Sequence, residues 1–107
     1  MGSQLLTGGV GAELEALYAA RAVDSLTLLR RAARGQCNNV RFQELVALVE
    51  SLGFELRRVS GSHHIYVHPD LDELVNLQEV GGRAKPYQVR QLVRIAFRYS
   101  LTPRRQP

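Results

Sequence analysis

The sequence contains one cysteine, Cys37. A lone cysteine excludes an internal disulfide framework and fits a reducing cytoplasm, where thiols stay reduced. It stands in a different segment from the three histidines, and no His-Glu-x-x-His pattern occurs, so the ligands of a closed zinc site are not gathered. No metal and no other cofactor is expected. No apolar run is long enough to span a bilayer, which points away from a membrane partner. The N-terminus lacks a basic start followed by an apolar core, so no secretory signal is expected. Acids are absent beyond Glu79. Residues 1–80 hold all ten acids and seven Lys/Arg, whereas residues 81–107 hold seven more Lys/Arg and no acid. A basic end of this kind suits a polyanion such as nucleic acid, or an acidic protein partner. On charge alone, a solvated basic helix with a basic tail explains it equally well.

What is present describes a small folded domain. The chain has 107 residues, 45% hydrophobic and 22% charged, with a formal net charge of +4. That is enough for one domain with one modest core. All three histidines fall within the six residues His63 to His68. Gly61-Ser62 precedes them and Pro69-Asp70 follows, so a turn leads in and a turn leads out. The residues between are rich in β-branched and aromatic types, which favours a strand. Histidine exchanges a proton near neutral pH. One standing at the mouth of a strand, after a flexible Gly-Ser corner, is placed to meet a substrate. The plainer reading of the same residues is an inert surface strand.

Along the chain, the glycine-rich start, Met1 to Gly11, is expected to fray. Ala12 to Ala22 reads as helix with Leu14, Leu17 and Tyr18 on one side. Asp24 could cap a second segment in which Leu26, Leu29 and Ala33 line a face, with Leu28 and Ala32 beside it, until Gly35 stops it. The two pieces can equally be one interrupted helix. Phe42, Leu45, Val46, Val49 and Leu52 recur at helical spacing up to Gly53, with no clear cap at the start. Phe54 to Val59 reads as a strand of imperfect alternation, with Phe54 and Leu56 on one face. Ser60-Gly61-Ser62 then makes a hairpin turn into the histidine strand. There Ile65 and Val67 share the expected core side with His63, and His64, Tyr66 and His68 share the outer one. A strand's first residue sits at a twisting corner, where parity is least binding. Leu74 to Gln78 is a third strand with Val75 and Leu77 together. Pro86 opens a last helix, with Val89, Leu92, Val93, Ala96 and Phe97 as its apolar face and Arg90, Arg94 and Arg98 as a basic stripe, ending at Thr102-Pro103. The order is helix, three antiparallel strands, helix. It divides the chain into an N-terminal helical extension and link (1–39), a domain (40–101) and a polar tail (102–107).

Three pieces of this chain carry a resemblance. One is the helix ending in Leu52-Gly53-Phe54. The second is Arg58-Val59-Ser60-Gly61-Ser62-His63-His64-Ile65-Tyr66, followed by His68-Pro69-Asp70. The third is Asn76-Leu77-Gln78, followed by Ala84-Lys85-Pro86-Tyr87-Gln88-Val89-Arg90-Gln91. In this order and spacing the chain resembles, over roughly Leu28 to Leu101, the HicA toxins of bacterial and archaeal toxin–antitoxin pairs, which are mRNA interferases. The resemblance implies an α+β fold like a double-stranded-RNA-binding domain, cleavage of mRNA that blocks translation, and a HicB antitoxin that binds and masks the toxin. The family's catalytic histidine lies in its Gly-Ser-His motif, which falls on His63, with His64 as the second choice. One departure matters: many members carry a proline and a histidine near the end of the third strand, where this chain has Leu77-Gln78-Glu79-Val80.

RNA supplies its own nucleophile, the 2′-hydroxyl, so a metal-independent endoribonuclease needs acid–base help and charge stabilisation. His63 is the candidate acid or base. Arg57, Arg58 and Lys85 are candidates for steadying phosphate charge, and Gly61 and Ser62 for close approach of the RNA backbone. A non-catalytic RNA-binding module of the same fold is the alternative, and a protein-interaction domain a third reading. Dependence of a cleavage product on His63 separates them.

Overall fold

A computed structural model describes residues 11–104. The expected fraying of residues 1–10, and the end of the polar tail, lie outside these residues. The elements are α1 (Ala12–Ala33), α2 (Phe42–Ser51), β1 (Glu55–Ser60), β2 (His63–Val67), β3 (Leu74–Gln78) and α3 (Pro86–Arg98). The sheet is antiparallel in the order β1-β2-β3. This is the α+β, double-stranded-RNA-binding-domain-like arrangement, preceded by an additional helix.

α1 is one continuous helix, not two. Nothing between Ala12 and Arg34 is glycine or proline, and Ala, Leu, Arg and Glu dominate, so no residue breaks it. Asp24 is an exposed residue inside it, not a cap. The buried face is Ser25, Leu28, Leu29 and Ala32, an i, i+3, i+4, i+7 set, so Leu26 and Ala33 lie off it. Leu14 and Leu17 in the first turns stay exposed.

α2 begins where the sequence offers no good capping side chain. The chain turns through Asn39 in the left-handed region (φ 59°), and Glu44 Oε1 accepts the Arg41 N–H at 2.9 Å. That is half of a capping box supplied from within the helix. Phe42, Leu45, Leu48 and Val49 are buried, with Val46 only half-buried. The helix closes on a Schellman motif. Gly53 N–H donates to Glu50 O (3.0 Å), Phe54 N–H donates to Val49 O (3.3 Å), and buried Phe54 and Val49 supply the accompanying apolar pair.

β1 is an edge strand with every residue exposed, and its register with β2 is broken by a bulge between Leu56 and Arg58. The bulge accounts for the imperfect alternation. The extra residue, Arg57, restores Val59 to the same side as Leu56, opposite His64 and Tyr66 respectively. An edge strand bearing charge and a bulge is also protected against pairing with other chains.

In β2 the faces are the reverse of the sequence expectation. Tyr66 is 2% exposed and His68 is buried, whereas Ile65 and Val67 are only half-buried. The register decides this. Tyr66 pairs with Val75 and His64 with Leu77, and partners share a face. β3 has one apolar face, Val75 and Leu77, both buried, and one polar face bearing Asn76 and Gln78. The larger apolar gain from Val75, Leu77 and the Tyr66 ring together turns Ile65 and Val67 outward.

α3 starts at Pro86, whose missing N–H had no intrahelical partner there. It buries Val89, Leu92, Ile95 and Ala96; Phe97 is 67% exposed and does not join the core. The helix ends at Arg98, four residues before Thr102-Pro103. Ser100 takes a left-handed conformation (φ 55°), and Leu101 N–H donates to Ala96 O at 2.8 Å. The core joins α2 and α3 to the inner faces of β2 and β3, and α1 packs across both helices through Leu28, Leu29 and Ala32. Among the described residues, no helix covers the opposite sheet face.

Candidate active site on the open sheet face

The β1–β2 hairpin places the histidines. Its loop is Gly61-Ser62, with Gly61 at φ 60°, the glycine-first pattern of a type II′ turn. The strand that follows sends successive side chains to opposite faces, so the three histidines reach three environments.

His63 is exposed on the open face. Its Nδ1 lies 3.1 Å from Asn76 Oδ1. A carbonyl oxygen only accepts, so Nδ1 carries the proton and the neutral ring keeps its lone pair on Nε2. His64 faces the helices. Its ring packs 5.0 Å from that of Phe42, and Nδ1 donates to Ser62 O at 3.2 Å. His68 is buried against the edge of Phe54 at 5.2 Å, with Nδ1 accepting the Asp70 N–H at 3.1 Å. The three rings diverge, and among the described residues no three His, Cys, Asp or Glu side chains gather as metal ligands.

Around His63 the open face is polar apart from Ile65, the next residue of β2 on that side. Ser60 is its cross-strand partner on β1, Gln78 its partner on β3, and Arg58 lies diagonal to it, opposite Ile65. Gln78 Nε2 donates to Ser62 Oγ at 3.4 Å. Ser62 O also accepts the Glu79 N–H at 3.2 Å, which ties the hairpin turn to the end of β3. Arg58, Gly61, Ser62 and His63 thus come together. Arg57 is the bulge residue and has no cross-strand partner. Lys85 is the N-cap of α3, and its ammonium lies 5.9 Å over the Tyr87 ring, away from any contact with His63.

Sequence spacing missed several residues here. Asn76 and Gln78 stand out in the sequence only as part of a motif, because their nearness to His63 depends on strand register. Arg41 and Arg83 form a bridge that, with Phe42 N–H donating to Gly82 O at 2.9 Å, brings the loop after β3 to the start of α2 beneath His64. No local pattern announces that contact. Arg90 and Arg94 are exposed on α3, which packs on the sheet face opposite His63, and Arg98 is tied to Glu73 at 3.4 Å. Clefts of about 360 and 320 Å³ lie among the helices, not at His63. An open strand surface is the shape a polymer substrate can lie across.

A helix-backed three-stranded sheet with one open face and a solvent-facing histidine defines a domain of the double-stranded-RNA-binding-domain-like class. The family described as "HicA toxin of bacterial toxin-antitoxin" matches residues 42–96, from the first residue of α2 to near the end of α3. The chain belongs to the HicA toxin family. It is therefore the toxin component of a toxin–antitoxin pair, with a cognate antitoxin as its partner. No curated protein and no solved structure gives a significant match. No helix among the described residues is long and apolar enough to cross a membrane.

Proposed function

We propose that this toxin is a metal-independent endoribonuclease that cleaves mRNA in the cytoplasm, with His63 as general acid/base, and that a HicB-type antitoxin holds it in check. One observation carries the reading: of the three histidines, His63 alone stands on the open sheet face with Nε2 unengaged among the described residues, beside the Gly61-Ser62 turn and Arg58. His64 and His68 are occupied in packing.

In this reading Nε2 takes the proton of the attacking 2′-hydroxyl as the O2′–P bond forms and the P–O5′ bond breaks. The departing 5′-oxygen takes up a proton, from the imidazolium or from water. The products are a 2′,3′-cyclic phosphate and a 5′-hydroxyl. Proton transfer of this kind contributes roughly 10²–10⁴-fold. Arg58 opposes the charge growing on the phosphate, Gly61 and Ser62 let the RNA backbone come close, and Arg57 and Lys85 add positive potential along its path.

The test is cleavage of RNA by purified protein in EDTA, comparing wild type with His63→Ala and His64→Ala. Cleavage lost in His63→Ala and kept in His64→Ala supports the reading. An active, folded His63→Ala protein overturns it. A folded wild type that binds RNA without cleaving it assigns the chain to the non-catalytic binding modules.

A further inference from the structure

Asn76 stands on β3 diagonal to His63, on the same open face, two residues from His63's direct partner Gln78. Diagonal neighbours of this kind are within reach of long side chains. The direct partner is turned elsewhere, since Gln78 Nε2 reaches Ser62 Oγ. The only side-chain hydrogen bond to the His63 ring among the described residues is therefore that of Asn76.

We propose that Asn76 is the positioning residue for His63. This rests on the reading of His63 as the general acid/base. A neutral imidazole has one N–H, and an acceptor at Nδ1 selects the tautomer whose lone pair is on Nε2. The same contact stops the ring of an exposed residue at a hairpin corner from turning freely, so Nε2 is held toward the open face. When Nε2 takes a proton the ring becomes cationic, and a hydrogen bond from a charged donor is stronger than one from a neutral donor. The Asn76 contact is thus tighter in the transition state than in the resting enzyme, which is the condition for raising kcat instead of binding alone.

Asn76 is itself held. Its backbone pairs with Ile65 in the β2–β3 ladder, and its carbonyl accepts from Nε2 of Gln88, a buried residue on α3, at 3.5 Å. The helix layer on one side of the sheet thereby fixes the strand that orients the histidine on the other. The Asn76 side chain is exposed, so its replacement leaves the core untouched.

Two measurements on the full chain test this. Long-range ¹H–¹⁵N NMR of the ring nitrogens reports the tautomer without any substrate. His63 is expected as the Nδ1–H form in wild type and as a mixture in Asn76→Ala. In the EDTA cleavage assay, Asn76→Ala should lower kcat about tenfold, the size of one lost net hydrogen bond, with little change in KM. Asn76→Asp keeps the acceptor and adds a negative charge, so it should retain cleavage while the acid limb of its pH–kcat profile moves to higher pH. A merely structural role for Asn76 moves neither the tautomer nor that limb. A predominantly Nε2–H ring in neutral wild type overturns the proposal. So does an unaltered kcat and pH profile in Asn76→Ala when His63→Ala is inactive. An active His63→Ala protein overturns both the proposal and the reading beneath it.

Discussion

Replacing Gly53 with alanine tests how the sheet is locked to α2. Gly53 sits at φ +100°, a conformation that an L-residue adopts at a cost of about 1–2 kcal/mol. A Cβ there would also lie 2.7 Å from His68 Nε2 and 3.2 Å from Cδ2. His68 has little freedom to yield. It is buried, its ring stands against the edge of Phe54, and its Nδ1 accepts the Asp70 N–H. Forcing a methyl group into such a site costs about 1–3 kcal/mol. The sum is about 2–5 kcal/mol, a large part of the 5–15 kcal/mol that holds a typical domain folded. Urea unfolding monitored by circular dichroism measures it, and the melting temperature should fall by roughly 10–20 °C. A second background separates the two contributions. In His68→Ala the obstructing ring is gone, so Gly53→Ala should there cost only the backbone share, about 1–2 kcal/mol. A Gly53→Ala protein within about 0.5 kcal/mol of wild type refutes the argument. So does an effect undiminished in the His68→Ala background, which would deny the contact its part.

Four further outcomes are expected. Ser100 holds a left-handed conformation at the end of α3, so Ser100→Gly should raise stability by about 0.5–1 kcal/mol, strain relief less glycine's entropy; a melt at or below wild type contradicts this. Burial first, and then the negative charge of Glu50, raise the Tyr66 hydroxyl above its ordinary value of 10.0. The unfolded chain then ionises first, so this stability is complete below pH 10 and is lost as pH rises through the folded value. Tyr66→Phe should lessen the fall in urea midpoint between about pH 9 and about pH 11, and equal falls in both proteins refute it. His64→Ala loses the Phe42 contact and should destabilise by roughly 1–2 kcal/mol while keeping full cleavage per folded molecule; a stable but inactive protein would transfer the chemistry to His64. Arg90 and Arg94 are exposed on α3, which packs on the sheet face opposite His63, so converting both to glutamine should weaken antitoxin binding in a salt-sensitive way and leave cleavage intact; loss of cleavage alone assigns them to RNA.

Much of the fold is legible in the residues themselves. The period of Phe42, Leu45, Val49 and Leu52, the Gly-Ser hairpin turn and Pro86 at the head of the last helix each act locally, and each falls where its own physics requires. What fails to show is set by partners distant in sequence. The Arg57 bulge depends on pairing with β2. The early end of α3 comes from Ser100 in a conformation serine seldom adopts, while Thr102-Pro103 is the more obvious stop signal. The buried face of α1 is rotated by a residue because it must fit between α2 and α3, and its Ala-rich pattern marks no sharp stripe of its own.

The choice between His63 and His64 turns on a single question, which face of β2 is buried, and five residues cannot answer it alone. Ile65 and Val67 on one side and Tyr66 on the other are all fit for a core, so β2 is ambiguous in isolation. β3 is not ambiguous, since Val75 and Leu77 alternate with Asn76 and Gln78. Once the ladder pairs Tyr66 with Val75 and His64 with Leu77, the inner face is fixed by β3 and merely inherited by β2. The same register that draws His64 beneath Phe42 turns His63 outward to the polar side of β3, within reach of Asn76. The burial of one histidine and the exposure of the next are therefore one event. A one-residue slip of β2 against β3 would exchange their environments and separate His63 from its acceptor.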